Sequence, residues 1–179
     1  MMRCFFFGSL MDREVAELVL DRRIDPRALR SGILHGYECL VVAEESYPAL
    51  APRAGGKVAG VVIDQISAGE LARMQFFESD EFEPVARDVE LDSGEFVTAQ
   101  TFLAREVLQY AGQLWDYAHW RLHEKNDYLV LVREWMSEYG KYEAHQLEAA
   151  WSSARREQLA RQDNRGEHEQ QTKRGKFHE

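Results

Sequence analysis

Phe5-Phe6-Phe7 runs straight into Gly8-Ser9-Leu10-Met11-Asp12, and beyond Asp12 the apolar side chains Val15, Leu18 and Val19 fall at helical spacing. The sequence thus predicts a buried strand that stops at a glycine and turns into a helix with Asp12 as its N-cap. Such a turn presents free backbone N–H groups. Gly8 lets the backbone come close to a ligand, Ser9 adds a hydroxyl, and the helix points its positive dipole end toward the turn. The arrangement suits an anion, a carboxylate in particular. The same residues also describe an ordinary strand end with a turn glycine.

Further along, Asp25-Pro26 marks a turn, and Gly32 to Ala43 predicts a strand pair or one long strand containing Tyr37. The segment Glu44 to Pro52 carries Pro48 and Pro52, which forbid a helix interior and disfavour a central strand, so it is expected as an ordered loop. Lys57 to Ile66 is a strand. Ser67-Ala68-Gly69-Glu70 has the form of a capping box, opening a short helix that gives out near Phe76-Phe77-Glu78. Pro84 to Leu91 and Phe96 to Leu103 are β runs joined by the hairpin signal Asp92-Ser93-Gly94. Strands with antiparallel connections and few long helices predict a small α+β barrel or curled sheet.

After Ala104 the pattern reads as helix. Val107, Leu108, Ala111, Leu114, Trp115, Ala118 and Leu122 follow steps of three and four, as do Tyr128, Leu129, Leu131, Val132, Trp135, Met136 and Tyr139. A third amphipathic stretch runs from Glu143 to about Leu159. The expected division is a barrel over 1–104, a helical extension over 105–161 and a polar, disordered tail over 162–179. The tryptophans Trp115, Trp120, Trp135 and Trp151 fit either a core or a partner surface.

The formal net charge of -9 argues against nucleic acid or an anionic membrane as a partner. Residues 1–151 hold the acidic excess, whereas 152–179 lean basic. Cys4 and Cys39 lie in strand-like apolar runs and imply no disulfide framework, and no segment has the length of a membrane span. A cytoplasmic protein is expected. His119 and His123 are spaced to share a metal but lack a third ligand at a telling distance, so exposed histidines are expected and no metal site. Glu78 stands out. A carboxylate held among Phe76, Phe77 and Phe82 loses water and shifts toward the neutral range that suits a general base. Beside Asp80, Glu81 and Glu83 it reads equally as part of a solvated acidic turn.

Taken in order, Phe7-Gly8-Ser9-Leu10, Tyr47-Pro48-Ala49-Leu50, Val58-Ala59-Gly60-Val61 and Phe77-Glu78 with Glu81-Phe82 resemble the gamma-glutamylcyclotransferase-like family over residues 3–104. The resemblance implies a gamma-glutamylcyclotransferase-like β-barrel with short helices, and an intramolecular aminoacyl transfer that releases 5-oxoproline from a small γ-glutamyl amine or peptide. It implies Glu78 as catalytic acid/base and a substrate site drawn from Phe7, Gly8, Ser9, Leu10, Met11, Asp12, Tyr47, Pro48 and Phe82, with no cofactor. Phe7 and Phe82 stand where the family pattern has tyrosine, and Ser79 where glycine is common. Those departures imply a substrate other than a simple γ-glutamyl amino acid, or slow turnover, and a second reading stays open beside the enzyme, a non-catalytic module binding a small molecule or a partner on the same fold. A homo-oligomer through the C-terminal helices is the macromolecular partner left open.

Overall fold

In the computed structural model, which describes residues 2–43 and 47–147, strand β1 (Met2–Phe6) pairs antiparallel with β3 (Pro48–Ile66) and parallel with β5 (Phe96–Ala104). β5 forms the expected hairpin with β4 (Phe82–Leu91) through the turn at Gly94, whose φ of 81° needs glycine. β4 then pairs with the start of β2 (Leu29–Val42), and β2 pairs with β3 along most of its length. These pairings close five strands into a barrel. A sixth strand, β6 (Tyr110–Leu114), pairs with the far end of β2 at Leu40 and Val42.

The apolar run at the start of the chain follows from this position, since β1 is covered on both faces. Phe5 points into the barrel with Leu34, Val58, Val62, Val89 and Val97. Cys4 and Phe6 point the other way, into a layer where Ile63 and Phe102 meet Val15 and Val19 of α1 (Arg13–Leu20) and Met74 and Phe76 of α2 (Ala68–Glu78). A strand buried on both sides has no polar alternation to show. Gly60 on β3 sits against it so closely that an added Cβ would lie 2.2 Å from the Phe6 carbonyl oxygen.

Both helix starts match the sequence. The Asp12 carboxylate accepts the Glu14 N–H at the head of α1, and Ser67 and Glu70 form a reciprocal capping box at the head of α2.

The loop expected over Glu44–Pro52 is corrected from Pro48 onward, because Pro48 and Pro52 lie inside β3 opposite Val41 and Tyr37. The Val42 N–H donates to the Tyr47 carbonyl, which sets the alternation of the ladder. Both prolines then fall where a backbone N–H would point away from β2. β1 pairs only with the later part of β3, so this arm is an edge where a missing donor is tolerated.

The helix expected over Val107–Leu122 is also corrected. Its first half is β6, and the helix α3 spans only Tyr117–His123, capped by the Asp116 carboxylate on the His119 N–H. Gly112 has φ 77°, a left-handed conformation that no helix interior accommodates. The second predicted helix is present as α4 (Lys125–Ser137), burying Leu129, Val132 and Met136. Trp120 belongs to the core at 1% exposure, and Trp115 and Trp135 pack against it from partly buried positions. Residues 144–147 begin a further helical turn. The rest of the third amphipathic stretch, with Trp151 and the polar tail, lies outside the described residues.

Candidate active site

At the end of β1 the chain makes one 3-10 turn, Gly8–Met11, before α1 begins. The strand therefore does not feed α1 directly. The free donors belong to this turn, whose first N–H groups, at Gly8 and Ser9, have no acceptor within it. Gly8 has φ 58°, and a Cβ there would lie 2.7 Å from Pro48 Cγ. The turn glycine and the Tyr47-Pro48 segment are thus in contact. Ser9 and Leu10 are buried, and Met11 is half-buried.

Phe7 faces the barrel interior cluster, on the opposite side of the chain from Phe6 and Leu10. Tyr47 donates its hydroxyl to Glu81 at 2.9 Å and meets the Phe82 ring edge-on, with centroids 6.1 Å apart. Asp12 is engaged elsewhere. Besides capping α1, its carboxylate pairs with Lys125 Nζ at 2.9 Å and accepts the Tyr117 hydroxyl at 3.2 Å, so it clamps α3 and α4 to the turn.

Glu78 is the last residue of α2. Ser79 after it adopts φ 59° and ψ -172°, a region otherwise the preserve of glycine, which explains why glycine suits that position. The Glu78 side chain is half-buried, and among the described residues its carboxylate has no hydrogen bond and no ion pair. Loss of water around it raises its pKa to about 8. Asp80 and Glu81, by contrast, are exposed.

Tyr128 of α4 meets the turn and feels the acid. Ser9 Oγ donates to Tyr128 Oη at 3.0 Å, and the Glu78 charge reaches the same phenol, adding to the burial that pushes it up to about 12. The periodicity of α4 made Tyr128 one apolar stripe residue among several. Only its hydroxyl distinguished it from the neighbouring leucines, and nothing local pointed that hydroxyl at Ser9.

His119 and His123 lie with ring centroids 4.5 Å apart and planes tilted by 43° on an exposed face, and among the described residues no group of three or more metal-ligating side chains is found. A groove of about 460 Å³ lies beside α2, lined by Ala72, Gln75, Phe76, Asp80, Tyr139 and Lys141 among others. Neither Glu78 nor Tyr128 lines it, so its size carries no weight against the chemistry at the turn. Among the described residues no helix is long and apolar enough to cross a membrane.

The closed five-stranded barrel, with a glycine turn at one strand end and a desolvated helix-end carboxyl, defines the class: a small α+β barrel of gamma-glutamyl cyclotransferase type. A family model described as gamma-glutamyl cyclotransferase, AIG2-like, matches residues 4–130, and the chain belongs to that family. Protein AIG2 C of Arabidopsis thaliana is 29% identical over 140 residues, covering 76% of this chain and 82% of the relative. AIG2-like protein C of the same plant is 29% identical over 135 residues, covering 74% and 76%. The solution structure of an Arabidopsis thaliana protein aligns with a TM-score of 0.57 at 29% identity, covering 78% of this chain and 84% of that one. A second Arabidopsis solution structure, with a TM-score of 0.55 at 22% identity, shares the fold. The resemblance read from the Gly8, Tyr47 and Glu78 motifs is therefore family membership.

Proposed function

We propose that this protein cleaves a small γ-glutamyl amine or peptide by intramolecular aminoacyl transfer, releasing 5-oxoproline, with Glu78 as general acid and base. The observation that carries the reading is a desolvated carboxyl without a counter-ion, whose charge is felt by the phenol that is hydrogen-bonded to Ser9 of the turn. The N–H groups of Gly8 and Ser9 hold the substrate α-carboxylate. Ionised Glu78 takes a proton from the α-ammonium, and the freed amine attacks the γ-carbonyl carbon. A new C–N bond closes the five-membered ring. The bond to the leaving amine breaks as Glu78 returns the proton to it, and the ring nitrogen gives up its second proton to the departing amine, which leaves as the ammonium. Both reacting groups belong to one molecule, so holding the substrate folded supplies much of the acceleration. Backbone donors and one carboxyl meet each requirement of this sequence.

A pKa near 8 sets the pH dependence. At neutral pH the free protein holds Glu78 largely protonated, and the base form grows as pH rises. We expect kcat/KM to increase with pH along a limb centred near 8. The test is 5-oxoproline release from a panel of γ-glutamyl amines and dipeptides by wild type and Glu78→Gln. Loss in the variant by a factor of about a thousand or more supports the reading. Release that survives in Glu78→Gln, or a limb in the ordinary carboxylate range, refutes it.

The absence of hydroxyls at Phe7 and Phe82 favours one other reading, a module that binds γ-glutamyl compounds without turning them over. Tight binding with no 5-oxoproline from any panel member would identify that case.

A further inference from the structure

Helix α3 buries Trp120 in the core and ties the Tyr117 hydroxyl to Asp12, while its outer face takes no part in the proposed reaction. That face carries His119 and His123, four positions apart, where helical side chains lie one above the other. Both residues are exposed, and their ring centroids are 4.5 Å apart. Their backbone positions are fixed at the two ends of the helix. The His119 N–H donates to the Asp116 carboxylate, and the N–H of Glu124, next to His123, donates to the Trp120 carbonyl. The surrounding charge favours a cation. Glu124 Oε1 lies 4.0 Å from His119 Nε2, whereas Arg121 is spaced with Tyr117, whose phenol feels its charge.

We propose that His119 and His123 form a binding site for a divalent transition metal of the zinc or nickel kind, each giving one imidazole nitrogen. Imidazole suits these ions, whereas magnesium and calcium take oxygen ligands. Two ligands on one helix act as a chelate, because an ion held by the first imidazole already has the second beside it. No third His, Cys, Asp or Glu joins the pair as a ligand among the described residues, so water fills the remaining positions and Glu124 contributes as a neighbouring charge. The ion bridges the last turn of a seven-residue helix, and its binding therefore stabilises α3 in its packed position. The site takes no residue from the proposed catalytic machinery and stands whether or not that reading does.

The test titrates tag-free full-length protein with Zn²⁺, and separately with Mg²⁺, in a calorimeter at neutral pH, for wild type, His119→Ala and His123→Ala. Zn²⁺ should bind wild type at one equivalent, and each substitution alone should weaken that binding by about 100-fold, since each abolishes the chelate. Hydrogen exchange supplies the second readout: Zn²⁺ should slow exchange of the α3 amides in wild type and in neither variant. No Zn²⁺ binding, a loss in only one variant, unchanged affinity in both, or equal binding of Mg²⁺ overturns the proposal. Both positions are exposed, so metal-free melting of the variants should match wild type. If an alanine variant melts early, His119→Gln or His123→Gln, which keeps a polar side chain without the imidazole, replaces it in the same comparison.

Discussion

Glu78 is a carboxyl that folding makes harder to ionise, and the consequence can be measured without any substrate. Its pKa lies at about 8 in the folded protein against the ordinary carboxyl value of 4.5. The folded state therefore keeps a proton that the unfolded chain releases. The stability tied to Glu78 is full below the unfolded value and is lost as pH rises through the folded one. Glu78→Gln, which carries no charge at any pH, should be little different from wild type near pH 5 and more stable above it. The gap should level off above pH 8 at roughly 3–5 kcal/mol. Urea unfolding at three pH values checks this, and a pH-independent gap would show that the carboxyl is not desolvated. Sequence made Glu78 visible as an acid among Phe76, Phe77 and Phe82, but described a solvated turn with Asp80 and Glu81 equally well. Desolvation of the carboxyl favours the first reading, and the one α4 residue that feels its charge, Tyr128, is remote in sequence. Tyr128 was illegible for the same reason.

Among the elements, those whose signals are local were readable and those fixed by distant pairing were not. The Asp12 cap, the Ser67 capping box and the Gly94 hairpin each follow from a few adjacent residues. Residues 107–122 mimic a helical stripe, yet Gly112 and the free edge of β2 draw half of them into β6. Likewise Pro48 and Pro52 speak against a strand unless the strand is known to lie at an edge. The helix that carries Tyr128 is α4, and among the described residues its ionic attachment to the rest of the fold is made by Lys125. Lys125 is 14% exposed and bridges Asp12, 5% exposed, and Glu14. Replacing Lys125 with Met would leave the Asp12 charge buried with only its hydrogen bonds. The expected loss is about 3 kcal/mol in chemical denaturation, partly restored by adding Asp12→Asn. A loss below about 0.5 kcal/mol, the size of a surface pair, would mean that α4 is held by its apolar face alone.

For the whole molecule, closure of the barrel depends on β1 lying between β3 and β5, and Gly60 sets how near β3 can come. Gly60→Ala places a methyl group against the Phe6 carbonyl and the Phe5 ring at once. We expect a destabilisation of about 2–3 kcal/mol or more, read from the denaturation midpoint. A variant of unchanged stability would show that β1 can shift freely.

The pairing of β1 also orders events in time. β1 cannot find both neighbours until β5 exists, so during synthesis the aromatic run at Phe5 to Phe7 waits, uncovered, while about a hundred residues are made, on the order of ten seconds at ribosomal rates. The bond from Ser9 to Tyr128 spans 119 positions and waits longer still. An early apolar strand and a late-arriving helix leave aromatic surface uncovered on the nascent chain until α4 is made, the condition in which folding chains are most prone to aggregate.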